Sequence, residues 1–315
     1  MGKVLLLDGG FSTQLAKHVG AIIDGDPLWS ARFIATDKEK CILVHRDYVR
    51  AGSNIITTGS YQASISGYKT HLGLEKEEAI QVIKDSVALA RKGIELECPS
   101  EQESKVLVAG SVGPYGATLH DGSEYTGKYS NNLTLAELIE WHRPRVEALI
   151  DAGVDLLAFE TIPCSNEAFA LITLLLEFPK IRAWLSFSIK EKDKISNGDS
   201  FVDTAAKCWK MGSTQLVAIG VNCLHPSLVT PILTKLKSFA PQVPLIVYPN
   251  SGERFDQTEN KWTNKENWNS VSDYVEEWLD IGVSYLGGCC RTNDNDIKKF
   301  SEILNVWETK KGQET

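Results

Sequence analysis

The chain has 315 residues and carries 33 Lys and Arg against 41 Asp and Glu, a formal net charge of −8. That balance argues against nucleic acid as a partner, since such a surface calls for a basic stripe. With 43% apolar and 23% charged residues, the chain reads as an ordinary globular protein, either two domains or one α/β barrel of about 250 residues or more.

Short β-rich runs alternate with helical patterns along the whole chain. Strand 4–7 comes first, and a helix over 37–51 precedes strand 54–58. A helix over 76–97, with Ala79, Val82, Ile83, Val87 and Ala90 on one face, leads to strand 106–111. Helix 135–152 precedes strand 155–159, helix 166–176 precedes strand 183–188, and helix 204–211 precedes strand 216–221. Helix 227–239 precedes strand 245–248, helix 265–281 precedes strand 284–286, and a helix over 294–308 closes the series. The strands are apolar without strict alternation, as strands covered on both faces are. Eight such repeats predict one closed (β/α)8 TIM barrel over residues 1–309, with a frayed tail at 310–315. An open doubly wound sheet is the alternative. It is weakened because Gly110 to Gly116 has the wrong spacing for a dinucleotide loop and Pro114 would spoil a phosphate-cradling helix start. Segments 119–132 and 251–264 read as polar loops after strands 3 and 7.

No targeting segment is legible. Asp8 ends the first apolar run, Leu6 stands where a myristoylation signal needs Ser or Thr, and the apolar stretch 168–176 is far short of a membrane span. The expectation is a soluble cytoplasmic protein with no membrane or nucleic-acid partner. The seven cysteines, an odd number without a secretory signal, read as reduced thiols.

A (β/α)8 barrel carries its chemistry at the C-terminal ends of the strands. There the sequence places Asp8 with Gly9, Gly10 and Phe11, then Tyr61, Glu160, Asn222 with Cys223, and Cys289 with Cys290. Three thiolates suit a zinc ion with a fourth position open. A vicinal Cys289–Cys290 disulfide or plain burial remain alternatives, and Cys164 and His225 are rival ligands at the same rim. Gly287 and Gly288 offer the backbone freedom that two adjacent ligands need. Cys41, Cys98 and Cys208 fall in helices or at their ends. A three-thiolate zinc site is net anionic, poor at activating water but able to deprotonate a further thiol. Asp8 and Glu160 suit a substrate ammonium group. The competing readings are an acid/base pair or helix caps. Trp29, Tyr61, Tyr115 and Tyr248 could line a pocket for a cation, with ordinary packing as the alternative.

The chain resembles the homocysteine S-methyltransferase family along nearly its whole length. The resemblance rests on LLDGGFSTQL at 5–14, TTGSYQAS at 57–64, GSVGPYGA at 110–117, FETIP at 159–163, GVNC at 220–223, VYPNSGE at 247–253 and GGCCRT at 287–292. It implies a barrel holding one Zn2+ per chain through Cys223, Cys289 and Cys290, with homocysteine sulfur as the fourth ligand. It implies further that Asp8, the Phe11 backbone and Glu160 hold the amino-acid end, and that Asn222 positions the ligand or the donor. Tyr61, a substrate-binding candidate, aligns with an aromatic that the betaine-using branch also has, so it does not discriminate between donors. A methyl group would pass in line from a sulfonium or quaternary ammonium donor to the thiolate, giving methionine. The betaine-using branch has a Tyr after the strand-4 acid, where this chain has Thr161, and a C-terminal oligomerisation extension. The resemblance therefore implies S-methylmethionine or S-adenosylmethionine as donor and a monomer. Cobalamin-dependent methionine synthases carry further domains for which this chain has no room. Selenocysteine is an alternative acceptor. A non-catalytic zinc or redox sensor using Cys289–Cys290 is the reading from another class, and a zinc hydrolase is disfavoured by the absence of a His-rich ligand set.

Overall fold

A computed structural model describes residues 3–20, 23, 25–98, 105–253, 255–256, 261–262 and 270–314. The main sheet has eight parallel strands: β1 (Leu5–Leu6), β2 (Ile55–Thr57), β3 (Leu107–Val112), β4 (Leu156–Ile162), β5 (Ala183–Phe187), β6 (Leu216–Asn222), β7 (Leu245–Tyr248) and β8 (Val283–Leu286). Their spatial order is β1-β8-β7-β6-β5-β4-β3-β2, sequential around a ring, so the open doubly wound alternative is excluded. The ring closes at the β1–β2 seam through single bonds rather than a ladder. Asn54 N donates to Leu6 O at 2.7 Å, and Leu6 N donates to Asn54 Oδ1 at 2.9 Å. Above them, Thr57 N donates to Asp8 Oδ2 at 2.7 Å.

The helices are α1 (Phe11–Val19), α2 (Ala31–Thr36), α3 (Lys38–Arg50), α4 (Ile65–Leu72), α5 (Lys76–Glu97), α6 (Leu135–Asp151), α7 (Ser165–Leu176), α8 (Phe201–Gly212), α9 (Val229–Phe239), α10 (Val275–Asp280) and α11 (Asp294–Glu314). Their apolar faces pack on the outside of the ring. A separate inner cluster of Leu7, Ile55, Ala109, Trp184, Ile246 and their neighbours fills the barrel as a packed core.

Several expectations are corrected in detail. Within segment 119–132 the 3-10 turns Ser123–Tyr125 and Lys128–Asn131 follow a further one at Tyr115–Thr118, and Tyr125 reaches the barrel mouth. Of segment 251–264, only 251–253, 255–256 and 261–262 are described, with Phe255–Asp256 pairing antiparallel with Lys261–Trp262. Part of the helix expected over 265–281 lies outside the described residues, and its remainder is a 3-10 turn followed by α10. The closing helix runs to Glu314, so residues 310–314, expected to fray, are helical, with Lys310 paired to Glu276 at 3.5 Å. Helix α1 was not legible because its N-cap is Gly10, with no side-chain cap and no acid in the first turn. No helix among the described residues is long and apolar enough to cross a membrane.

Candidate active site

The C-terminal ends of the strands surround one open-mouthed cavity. Asp8, Phe11, Tyr61, Glu160, Asn222 and Cys223 line it, and Cys289 and Cys290 complete its wall. The eight residues that the family resemblance implicates thus share one cavity. Trp29, Tyr125 and Tyr248 also face it, whereas Tyr115 packs outside it against Tyr129 and Trp141.

The sulfurs of Cys223, Cys289 and Cys290 lie within 4.8 Å of one another, and among the described residues they form the one His, Cys, Asp or Glu group able to hold a metal. Cys223 and Cys289 are joined as a disulfide, and Cys290 Sγ lies 3.8 Å from Cys223 Sγ. The covalent pair therefore bridges the rims of β6 and β8, which departs from the reduced thiols expected of all seven cysteines and also from the alternative of a vicinal Cys289–Cys290 disulfide. A disulfide cannot serve as two thiolates, so metal binding at this trio requires reduction. Cys164 and His225 are not part of the trio. Cys164 is buried at the N-cap of α7 beside Tyr129 and Leu138, and His225 Nδ1 is engaged by Ser227.

Backbone geometry explains how the thiols converge. Cys223 has φ +53°, in the left-handed region that non-glycine residues rarely occupy, and Arg291, just past the cysteine pair, has φ +64°. Neither Gly287 nor Gly288 has positive φ, so the expected source of freedom is not the operative one. These glycines instead permit close approach. A Cβ at Gly287 would meet Leu7 and the Asp8 carbonyl, and one at Gly288 would overlap Thr292. Backbone bonds then fix the rims, with Cys223 N donating to Tyr248 O at 3.2 Å, Cys289 N to Pro249 O at 2.8 Å and Gly288 N to Asp8 O at 3.0 Å.

Opposite the thiols stand two buried acids. The Asp8 carboxylate accepts from Thr57 N and from Thr57 Oγ1, so it closes the β1–β2 seam rather than capping α1. Burial pushes its pKa up to about 8, with the Thr57 bonds opposing and the Glu160 charge adding. Glu160 accepts from Ser111 Oγ. Burial raises it to about 7, against the stabilising bonds from Ser111 and Tyr248 and the charge of Arg145. The β4–β5 register shifts between Phe159 and Ile162, a bulge that turns Glu160 into the mouth. Thr161, within that bulge, has φ +60°, a costly conformation for a β-branched residue. Asn222 secures it from β6. Thr161 N donates to Asn222 Oδ1 at 2.8 Å, and Asn222 Nδ2 donates to Thr161 Oγ1 at 2.7 Å. Ser186 Oγ also donates to Asn222 Oδ1 at 2.8 Å, so this amide is occupied by protein groups. Its geometry is that of a positioning residue linking the Glu160 bulge to the strand end that carries Cys223.

Sequence reasoning missed Ser111, Ser186 and Arg145. The two serines interrupt the apolar runs of β3 and β5, a signal that could have found them. Arg145 is buried in α6 and donates to Tyr61 O at 2.8 Å and Gly113 O at 3.1 Å, tying the rims of β2 and β3 together. Nothing local in the sequence marks it.

The comparisons with known proteins agree with this geometry. A model of the homocysteine S-methyltransferase family matches residues 5–304. A Drosophila melanogaster protein named betaine-homocysteine S-methyltransferase is 42% identical, over 96% of this chain and 96% of that protein. A selenocysteine Se-methyltransferase of Brassica oleracea is 40% identical, over 96% of this chain and 89% of that protein. The metallated form of the homocysteine methyltransferase MmuM of Escherichia coli superposes with TM-score 0.84 at 39% identity, covering 96% of each chain.

Proposed function

The chain belongs to the homocysteine S-methyltransferase family, and on that premise we propose that it transfers a methyl group from S-methylmethionine or S-adenosylmethionine to homocysteine, giving methionine. The observation that carries this reading is the convergence of three cysteine sulfurs and two buried carboxyl groups on one cavity.

The donor set fits a metal. Cys223, Cys289 and Cys290, once reduced, would hold one zinc ion, which would lower the pKa of the acceptor thiol and keep its sulfur nucleophilic. Glu160 and Asp8 bind the homocysteine ammonium, whose charge relieves the burial cost that holds both acids protonated. The start of α1 lines the same cavity. Its first intrahelical bond is Gln14 N to Gly10 O, so the Phe11 N–H has no helical acceptor and suits the homocysteine carboxylate. Tyr61, Trp29 and Tyr248 wall the cavity with aromatic surface that suits a sulfonium. The sulfonium leaves as a neutral thioether, so the site needs no general acid. Positive donor and negative sulfur neutralise each other in the step, which a cavity screened from water favours. The chain's main remaining contribution is to hold the two substrates in line.

Thr161 stands where the betaine-using branch has Tyr, which supports a sulfonium donor, while the Drosophila relative's name makes glycine betaine a necessary arm of the test. The Brassica relative's name supports selenocysteine as a second acceptor for the same pocket. The reading also carries a cytoplasmic monomer serving methionine formation.

Reduced, zinc-loaded protein given homocysteine is expected to form methionine with S-methylmethionine or S-adenosylmethionine and not with glycine betaine. Protein kept oxidised is expected to take up no zinc and to be inactive. Turnover with betaine alone would overturn the donor assignment. Full activity of the oxidised, zinc-free protein would overturn the role of the thiols.

A further inference from the structure

Two segments from opposite ends of the chain meet at the barrel mouth. Segment 8–11 carries the amino-acid end of the acceptor site, and the turn 289–292 carries two of the three thiols. Two buried side chains fasten one segment to the other. Thr292 Oγ1 donates to Cys289 O at 2.7 Å and accepts from Gly10 N at 3.2 Å, so one hydroxyl spans both. The same Gly10 N–H reaches Thr292 O at 3.1 Å. Tyr48 Oη, from α3, donates to Gly10 O at 2.9 Å and lies 3.4 Å from Thr292 O. Arg291 N donates to Thr13 Oγ1 at 2.9 Å, which ties the turn to the first turn of α1 as well.

The segments approach as closely as their backbones allow. A Cβ at Gly10 would lie 2.5 Å from Cys289 O, so another residue there would displace the turn. The clamp is additional to what closes the fold, because β1 is already paired to β8 below it and Leu7 N donates to Leu286 O at 2.7 Å. Thr292 and Tyr48 are fully buried and do not line the cavity, whereas Gly10 and Cys289 do. They act through those two residues, and on the backbone of Cys289 rather than its sulfur. What they fix is the distance between the thiol site and the start of α1.

We propose that Thr292 and Tyr48 are positioning residues that set this span, so that homocysteine is held by both of its ends at once. The proposal rests on the acceptor reading above. A ligand fastened at one end makes its second contact at an effective concentration that the geometry sets. A loosened span forfeits that gain, while each end still binds its own half of the ligand.

The test uses the full-length, reduced, zinc-loaded protein and its Thr292→Val variant, which keeps the side-chain shape and removes the hydroxyl. Homocysteine, which reaches both ends, is titrated by calorimetry. Propanethiol, which reaches only the metal, and 2-aminobutyrate, which has no thiol, are measured by displacement. Thr292→Val is expected to weaken homocysteine about tenfold or more, with the two half-ligands within about twofold and zinc content unchanged. Thr292→Ser, which keeps the hydroxyl, should restore homocysteine binding, and Tyr48→Phe should weaken it several-fold in the same pattern. Unchanged homocysteine binding, equal weakening of all three ligands, or loss of zinc would overturn the proposal. If Thr292→Val does not fold, Tyr48→Phe decides, and an unmoved homocysteine constant there overturns it. Homocysteine bound no more tightly than propanethiol by the unaltered protein would overturn the acceptor reading and this proposal with it. Homocysteine bound more tightly than either half-ligand, yet unmoved by Thr292→Val, would overturn this proposal alone.

Discussion

Replacing Cys289 with Ser is expected to remove the metal and methyl transfer together, lowering kcat/KM by roughly 10³-fold or more, since Lewis-acid activation is worth several kcal/mol. The reason is geometric. Cys289 and Cys290 come from the end of β8 and Cys223 from the end of β6, and their sulfurs lie within 4.8 Å of one another. An alcohol is a much poorer ligand than a thiolate, and two remaining thiolates leave a site that loses metal readily. The same substitution breaks the Cys223–Cys289 disulfide, so the variant should also need no reductant to expose Cys223. Zinc content by atomic emission, read beside methionine formation, checks this. Retention of a full equivalent of zinc with activity intact would remove Cys289 from the ligand set.

Glu160→Ala should raise KM for homocysteine about 10²-fold while zinc content holds, because truncating one partner of a buried charge pair costs about 2–5 kcal/mol. The bulge at Phe159–Ile162 aims this carboxyl into the cavity, and Ser111 holds it there. The Glu160→Gln variant separates charge from shape. Burial holds the Glu160 carboxyl near 7 in the substrate-free fold, against 4.5 for the ordinary group. The folded chain thus keeps a proton that the unfolded chain releases, and the stability this confers is complete below about pH 4 and lost as pH rises through 7. Glu160→Gln is accordingly expected to raise the melting midpoint of the substrate-free protein near pH 8.5 and to change it little near pH 5, while still weakening homocysteine. A lower midpoint near pH 8.5, or an unchanged homocysteine KM, would show that the carboxylate is structural.

The strands were legible because each is a short, apolar run covered on both faces, and β7 occurs at the residues expected, Leu245–Tyr248. The long helix Lys76–Glu97 was equally plain from its one-sided apolar face. Helices α2 and α4 were not found, being short segments set by packing rather than by a strong periodic pattern. The two small hairpins, Ile189–Glu191 with Lys194–Ile195 and Phe255–Asp256 with Lys261–Trp262, are too short to show alternation.

The site divides in the same way. Cys223, Cys289, Cys290, Asp8 and Glu160 stand out because polar or reactive residues at strand ends must face the barrel mouth. What joins them does not stand out. Asn222 bonds across to Thr161, Asp8 to Thr57, and Arg145 to the carbonyls of Tyr61 and Gly113, all between residues distant in sequence. The left-handed backbone at Thr161 and Cys223 was equally hidden, since neither residue type announces it.

The three cysteines are expected to form a metal site completed by the acceptor's sulfur. X-ray absorption at the zinc edge of the reduced, zinc-loaded protein, recorded with and without homocysteine, tests it directly. Three sulfur scatterers at about 2.3 Å are expected to become four when homocysteine is added. A sulfur count that does not change would contradict it.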